Sequence, residues 1–299
     1  MSTIDAALAY FGLSASVSVA QTQLGMANRS FRVTTADGSR YIVKFLVHQM
    51  QSLLVNELAI QEQLQARGIV TPRYIRAPGG DYVYHSAVVP GLAAVISPAI
   101  EGVHPKSISR GLAHAMGAML AQYHAAVRSL PKAHQGWLNK RSVEEAAAET
   151  SYSAAKEAAL ALIDQGEPMF ESEIPCGIIH GDFHTGNLLV ASPTSAKIAA
   201  MLDFEEAEEN RLLIDIAFGL FGSHSLAYTA RRTHIILHTF LNGYESVRPL
   251  EPMEKSNLAG AICYVAGACS LWMDAHGYAA NAAHNLAIAD ALRKIDLRR

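Results

Sequence analysis

The chain has 299 residues, half of them hydrophobic and 17% charged, which excludes a disordered or fibrous protein and allows a large core in two domains or lobes. Its net charge of -3 lacks the strongly basic balance of a nucleic-acid binder. The three cysteines, Cys176, Cys263 and Cys269, show neither metal-ligand spacing nor a disulfide framework, and read as reduced core thiols of a cytoplasmic protein.

Residues 1–20 are apolar and rich in Ala and Ser but hold no Lys or Arg, and Asp5 interrupts them. An N-terminal helix is expected there rather than a secretion signal. Residues 21–33 lead through an Asp37-Gly38 turn into a second strand over 40–46, which is a hairpin pattern. Lys44 interrupts that otherwise apolar strand. It is either an edge-strand lysine that discourages aggregation or a cation placed for a partner. A helix over 50–66 follows, with Leu54, Leu58 and Leu64 near helical spacing and Arg67-Gly68 as its stop. It carries Glu57, thirteen residues after Lys44, and Glu62, which is expected in solvent. Residues 71–100 read as three strands around Gly79-Gly80-Asp81 and Pro90-Gly91.

Beyond Gly102 the composition turns helical. Residues 107–127 place Leu112, Met116, Leu120, Tyr123 and Val127 on one face, with His124 as a hydrogen-bonded core histidine. Residues 142–163 read as one charged surface helix. Short strands are expected at 178–179, 187–190 and 197–202, the last two joined by a Ser192-Pro-Thr-Ser turn. Asp215 is a lone carboxylate in the apolar stretch 210–222, where it must be paired or accept hydrogen bonds. Glu205, Glu206, Glu208 and Glu209 either supply acid near a site or form a solvated face, the commoner role of a charge run. Three helices are expected over 225–299, and the apolar run 259–273 is short for a membrane span and reads as a buried helix.

The stretch most pregnant with chemistry is Gly177 to Ala191, GIIHGDFHTGNLLVA, followed by MLDFEEA. It sets His180, Asp182 and Asn187 on a tight loop between strands, and Asp203 at the end of a neighbouring one. Taken singly, such residues are commonly turn-formers. Together they are what phosphoryl transfer requires: a carboxylate to orient the attacking hydroxyl and take its proton, and oxygen ligands for Mg2+ on the phosphates. His184 four residues after His180 invites zinc, but no third ligand or HExxH context accompanies it.

The pattern His-x-Asp-x-x-x-x-Asn, then an apolar strand ending in Asp, resembles the aminoglycoside phosphotransferase superfamily, which includes choline, methylthioribose and type II homoserine kinases and shares the protein-kinase fold. The resemblance implies a bilobal α+β fold covering the chain: a small antiparallel sheet lobe over 1–100, a mostly helical lobe over 101–299, a hinge near 97–102, and ATP with Mg2+ between them. It implies Asp182 as catalytic base, His180 as a brace of the loop, Asn187 and Asp203 as metal ligands, and Asp215 as a support capping the loop's backbone N–H groups. Lys44 would grip the α- and β-phosphates and be held by Glu57. Gly25, Asn28 and Ser30 would lie over the phosphates, and backbone groups at Ile100 and Glu101 would meet the adenine edge. No Ala-Pro-Glu phrase follows and Asp203-Phe-Glu replaces Asp-Phe-Gly, so a small-molecule hydroxyl acceptor is expected. Residues 240–254 resemble the homoserine kinase joint and point to a homoserine-like amino alcohol. The antibiotic-kinase wording of His180-Gly-Asp182 keeps aminoglycosides as the alternative, and a catalytically silent nucleotide-binding regulator is the rival of another class. No membrane partner is expected, and the sequence leaves oligomeric state open.

Overall fold

In the computed structural model, residues 2–22, 29–46, 51–131, 136–151, 153–224 and 230–292 are described. The chain divides into two compact units, Met1–Glu101 with Ala200–Glu205, and Gly102–Ala199 with Glu206–Arg299.

The first unit is a five-stranded antiparallel sheet with a helix on each face. Helix α1 (Thr3–Tyr10) is capped by Ser2, whose hydroxyl accepts from Asp5 N–H. Strands β1 (Ser16–Gln21), β2 (Arg29–Thr35) and β3 (Arg40–Leu46) follow, then α2 (Gln51–Ala66), β4 (Tyr84–His85) and β5 (Ala93–Pro98), in the order β1-β2-β3-β5-β4. The β2–β3 turn is fixed by Asp37, whose carboxylate accepts from Thr35 Oγ1 at 2.6 Å and Ser39 N at 3.1 Å. Gly38 supplies the left-handed φ of +82° that this turn requires. Alternation along β3 sends Val43 and Phe45 to a core shared with Ala7 and Leu8 of α1 and with Phe11 just after it. Leu46 and Val95 face the opposite layer, with Leu54 of α2 and Tyr74.

The helix expected in the first twenty residues is present as α1 and packs on the sheet, with strand β1 after it. Residues 71–100 hold two strands, because Pro72 and Pro78 offer no ladder N–H and the preceding segment makes isolated bonds such as Ile75 N–H to Ile96 C=O at 2.7 Å. Lys44 is not on an edge: Ser30 of β2 and Val95 of β5 stand opposite it on either side.

The second unit is mainly helical, with α3 (Arg110–Val127), α4 (Lys140–Glu149), α5 (Ala154–Gly166) and α6 (Pro168–Glu171). The expected single helix over 142–163 is therefore two. Ser153 caps the second by accepting from Lys156 N–H at 2.9 Å, and its residues Ala159, Leu162 and Ile163 are buried. Strand β6 (Cys176–Ile179), a 3-10 turn (Thr185–Asn187) and β7 (Leu188–Val190) carry the central motif, followed by β8 (Ile198–Met201) and β9 (Glu208–Arg211). β6 pairs with β9, and β7 with β8, whose first residues belong to this unit. Cys176, expected in the core, is exposed at the start of β6, whereas Cys263 and Cys269 are buried.

Four helices complete the chain, α7 (Leu212–His224), α8 (Ala230–Glu245), α9 (Pro252–Ala275) and α10 (Ala279–Leu292), so the three helices expected after residue 225 are present. Glycines let helix backbones approach closely. A Cβ on Gly117 of α3 would strike the Phe240 carbonyl of α8, and one on Gly243 of α8 would strike the His114 carbonyl of α3. Gly267 of α9 meets the Ala159 carbonyl of α5 in the same way. Helix α9 is long and apolar enough by composition to cross a membrane, and 67% of that window is buried inside the fold, as the core-helix reading expects.

Candidate active site

Within the first unit, Lys44 is the centre of a partly buried charge cluster. Its Nζ lies 2.9 Å from Asp203 Oδ1 and 2.9 Å from Glu205 Oε2. Burial alone would lower the Lys44 pKa, but Asp203, then Tyr74, Glu205 and Glu57, hold it well above the ordinary lysine value. This corrects the expected partner. Lys44 pairs with the two carboxylates that follow β8, while Glu57 Oε1 accepts the Tyr74 hydroxyl at 2.8 Å and acts on Lys44 more weakly than they do. Tyr74, and the pairing of Glu205 with Lys44, escaped sequence reasoning because they arise from strand packing and a chain crossing, which no local spacing encodes.

Asp203 has φ +62°, the one positive φ among the described non-glycine residues. Aspartate tolerates this region better than most residues. The turn directs Asp203 and Glu205 to the same ammonium, with buried Phe204 between them in sequence.

Glu205 was expected in a solvated run but its side chain is only 13% exposed. Burial raises its pKa from the ordinary 4.5 to about 7, against the pull of Lys44 and with the repulsion of Asp203 adding to the rise. The folded chain therefore keeps a proton that the unfolded chain releases near 4.5. The stabilisation from that proton is full below about 4.5 and is lost as pH rises through 7. Glu205→Gln should accordingly flatten the fall in urea-unfolding free energy between pH 5 and 8. An unchanged slope would show that another group governs it.

In the second unit, β6 delivers His180 and Gly181 into a loop whose backbone is held from below. Asp215, fully buried in the first turn of α7, accepts from His180 N–H at 2.6 Å and Gly181 N–H at 3.0 Å. Gly181 sits at φ +77° with the Glu206 carbonyl where a Cβ would project, so only glycine fits. The His180 side chain is buried and packs edge-on against Phe183, 5.8 Å between centroids.

The loop then presents Asp182, about one-third exposed. Asn187 Nδ2 donates to its Oδ2 at 2.8 Å and to its backbone C=O at 2.9 Å. The Asn187 amide oxygen thereby faces away from Asp182, the end of the side chain that can ligate a hard cation. His184 Nδ1 accepts from Gly186 N–H at 3.0 Å, so its proton belongs on Nε2, which lies 3.5 Å from Asp182 Oδ1.

Glu208 is the other buried member of the supposed solvated run. Strand alternation turns it inward and Glu209 outward. Burial raises its pKa, and Gly136 N–H at 2.7 Å, Leu138 N–H at 3.2 Å and Asn210 Nδ2 at 3.1 Å satisfy it. It thus fixes the segment before α4.

Of the remaining expected residues, Ser30 lies opposite Lys44 in the β2–β3 register. Ile100 and exposed Glu101 follow β5, Glu101 forming a 2.5 Å surface pair with Arg40. Gly25 and Asn28 lie outside the described residues. Among the described residues no group of three or more His, Cys, Asp or Glu could hold a metal. Asp203 in the first unit and Asn187 in the second each offer an oxygen of the kind a hard cation takes.

Comparison with known proteins gives the same picture from another direction. Residues 18–250 match a family model described as a phosphotransferase enzyme family. Homoserine kinase from Afipia carboxidovorans is 27% identical over 245 residues, covering 78% of this chain and 72% of its own length. A microcompartment-associated aminopropanol kinase superposes with TM-score 0.77 at 18% identity, over 97% of this chain and 95% of that one. An amicoumacin kinase in complex with AMP-PNP and Ca2+ follows at TM-score 0.72 and 17% identity, over 90% and 88%. These likenesses bear out the kinase-like α+β fold expected from the motif.

Proposed function

This chain belongs to the phosphotransferase enzyme family and is a small-molecule kinase, and from that premise we propose that it transfers the γ-phosphoryl group of ATP, with Mg2+, to a hydroxyl of a homoserine-like amino alcohol. The observation that carries the reading is the presentation of Asp182: a carboxylate about one-third exposed, oriented by Asn187 on a loop whose backbone Asp215 fixes. Bound Mg-ATP supplies the phosphoryl group and neutralises its charge as the bond breaks.

The chain's own residues do the rest. Lys44, kept protonated by its carboxylates, holds the α- and β-phosphates. Asp203 and Asn187 hold the cation, and Ser30, with Gly25 and Asn28, covers the phosphates. Backbone groups near Ile100 and Glu101 receive the adenine edge. Asp182 accepts the hydroxyl proton as the acceptor oxygen attacks, and His180 braces the loop from its buried position. Catalysis comes from positioning and charge, with no covalent enzyme intermediate.

Two observations support the acceptor class. The homoserine kinase relative and the aminopropanol kinase are both named for small amino alcohols. The free thiols Cys176, Cys263 and Cys269 support a reducing, cytoplasmic setting.

The test is ADP release from Mg-ATP by purified protein across homoserine, 1-aminopropan-2-ol, ethanolamine, choline, methylthioribose and several aminoglycosides. Stimulation by an amino alcohol is the expected result. Stimulation by aminoglycosides alone would overturn the acceptor class while leaving the phosphotransferase, and silence with every acceptor would count against turnover.

A further inference from the structure

A largely buried chain of hydrogen bonds runs from the catalytic loop to the start of α9, and with His124 neutral its links run one way. Asp215 is an acceptor, so His124 donates to it from Nε2 at 3.0 Å. With a neutral ring the His124 Nδ1 accepts, and Tyr244 OH stands 2.8 Å from it as the donor. That hydroxyl in turn receives Arg248 Nη1 at 3.2 Å, and arginine can only donate. Arg248 is fixed by both oxygens of Glu254, at 2.9 and 3.0 Å. Glu254 itself closes the helix cap by accepting from Glu251 N–H at 2.9 Å.

The backbone brings these groups together by design of the helix crossing. Gly117 and Gly243 let α3 and α8 approach to backbone contact, and Tyr244, next to Gly243, reaches His124 across that contact. His124, Tyr244, Asp215 and Glu254 are all buried. An apolar residue in place of Tyr244 would fill the same space without the cost of burying a hydroxyl and a guanidinium together. The polar chain therefore needs a reason beyond packing.

Resting on the phosphotransfer reading above, we propose that Tyr244 and Arg248 are positioning residues for Asp182. They orient the His124 ring, the ring orients the Asp215 carboxylate, and the carboxylate sets the His180 and Gly181 peptides that immediately precede Asp182. The α8–α9 joint thus sets the attack geometry without touching any reactant.

The experiment compares full-length wild type, Tyr244→Phe and a packing control, Leu258→Val, which removes a methylene from buried Leu258 on α9. Hydrogen exchange of the His180 and Gly181 amides is read beside steady-state kinetics. Loss of one buried hydrogen bond should speed those two amides and lower kcat by about tenfold in Tyr244→Phe, with both KM values within about twofold of wild type. Leu258→Val should change neither. Arg248→Met, which removes the donor but keeps the hydroxyl, should shift both readouts in the same direction by less, and it replaces Tyr244→Phe if that protein does not fold. Wild-type exchange and kcat in the variants, or an equal loss in Leu258→Val, would overturn the proposal. If wild type releases no ADP with any acceptor, the phosphotransfer reading fails, and the amide exchange still decides the relay.

Discussion

Asp182→Ala is expected to lower kcat by about 10²–10⁴-fold, the range a positioned general base contributes, while the affinity for AMP-PNP changes little. The split follows from where the side chain sits. Its Oδ2 takes Asn187 Nδ2 at 2.8 Å, yet the same nitrogen also bonds the Asp182 backbone C=O at 2.9 Å. Removing the carboxylate leaves Asn187 a partner and leaves Asp215 on the loop's N–H groups, so the loop should keep its course. Lys44 and its carboxylates belong to the other unit and are untouched. Steady-state ADP release and calorimetric titration with AMP-PNP measure the two halves separately. Turnover at the wild-type rate would sink the assignment of Asp182, and parallel loss of binding would reassign it to a ground-state role.

The second large effect is expected at Asp203. Asn accepts a left-handed backbone nearly as readily as Asp, so Asp203→Asn should keep the turn at φ +62° while removing the charge. Turnover should fall by about 10²–10³-fold, as when one preorganised electrostatic contact to the transition state is lost. The Mg2+ concentration for half-maximal rate should rise. Asp203→Ala should show the same kinetic loss plus a stability loss of about 1 kcal/mol or more for the strained φ, visible in urea unfolding. Wild-type Mg2+ dependence in Asp203→Asn would show that the cation is held elsewhere.

The residues readable in advance share a property: their meaning lies within a few positions of chain. His180, Asp182 and Asn187 form a local loop between short strands, and Asp215 stood out as one carboxylate in an apolar helix. The kinase-like fold followed from that phrase and from the helical periodicity beyond Gly102. What stayed hidden depends on distant segments meeting. Lys44 takes Glu205, 161 positions on by numbering, rather than Glu57 on the adjacent helix, because strand and turn geometry settle which carboxylate reaches an ammonium. The acidic run 205–209 looked solvated since charge runs usually are, yet alternation and four neighbouring donors bury Glu208. Tyr244 is legible only as part of the 240–254 resemblance, because its hydroxyl partners His124 and Arg248 become visible only in the fold.

The division of the chain carries an implication for how it is made. The first unit is interrupted: Met1–Glu101 lacks Ala200–Glu205, and that missing hexapeptide holds both carboxylates that neutralise Lys44. At a synthesis rate of about 5–20 residues per second, the ribosome needs roughly 5–20 seconds to cover the distance between the two pieces. During that interval the nascent sheet must either hold the Lys44 ammonium with Glu57 nearby but without Asp203 and Glu205, or leave it in water. The amino-terminal part therefore waits on a short segment of late-emerging chain, and a fragment ending at Glu101 should be a poor folding unit.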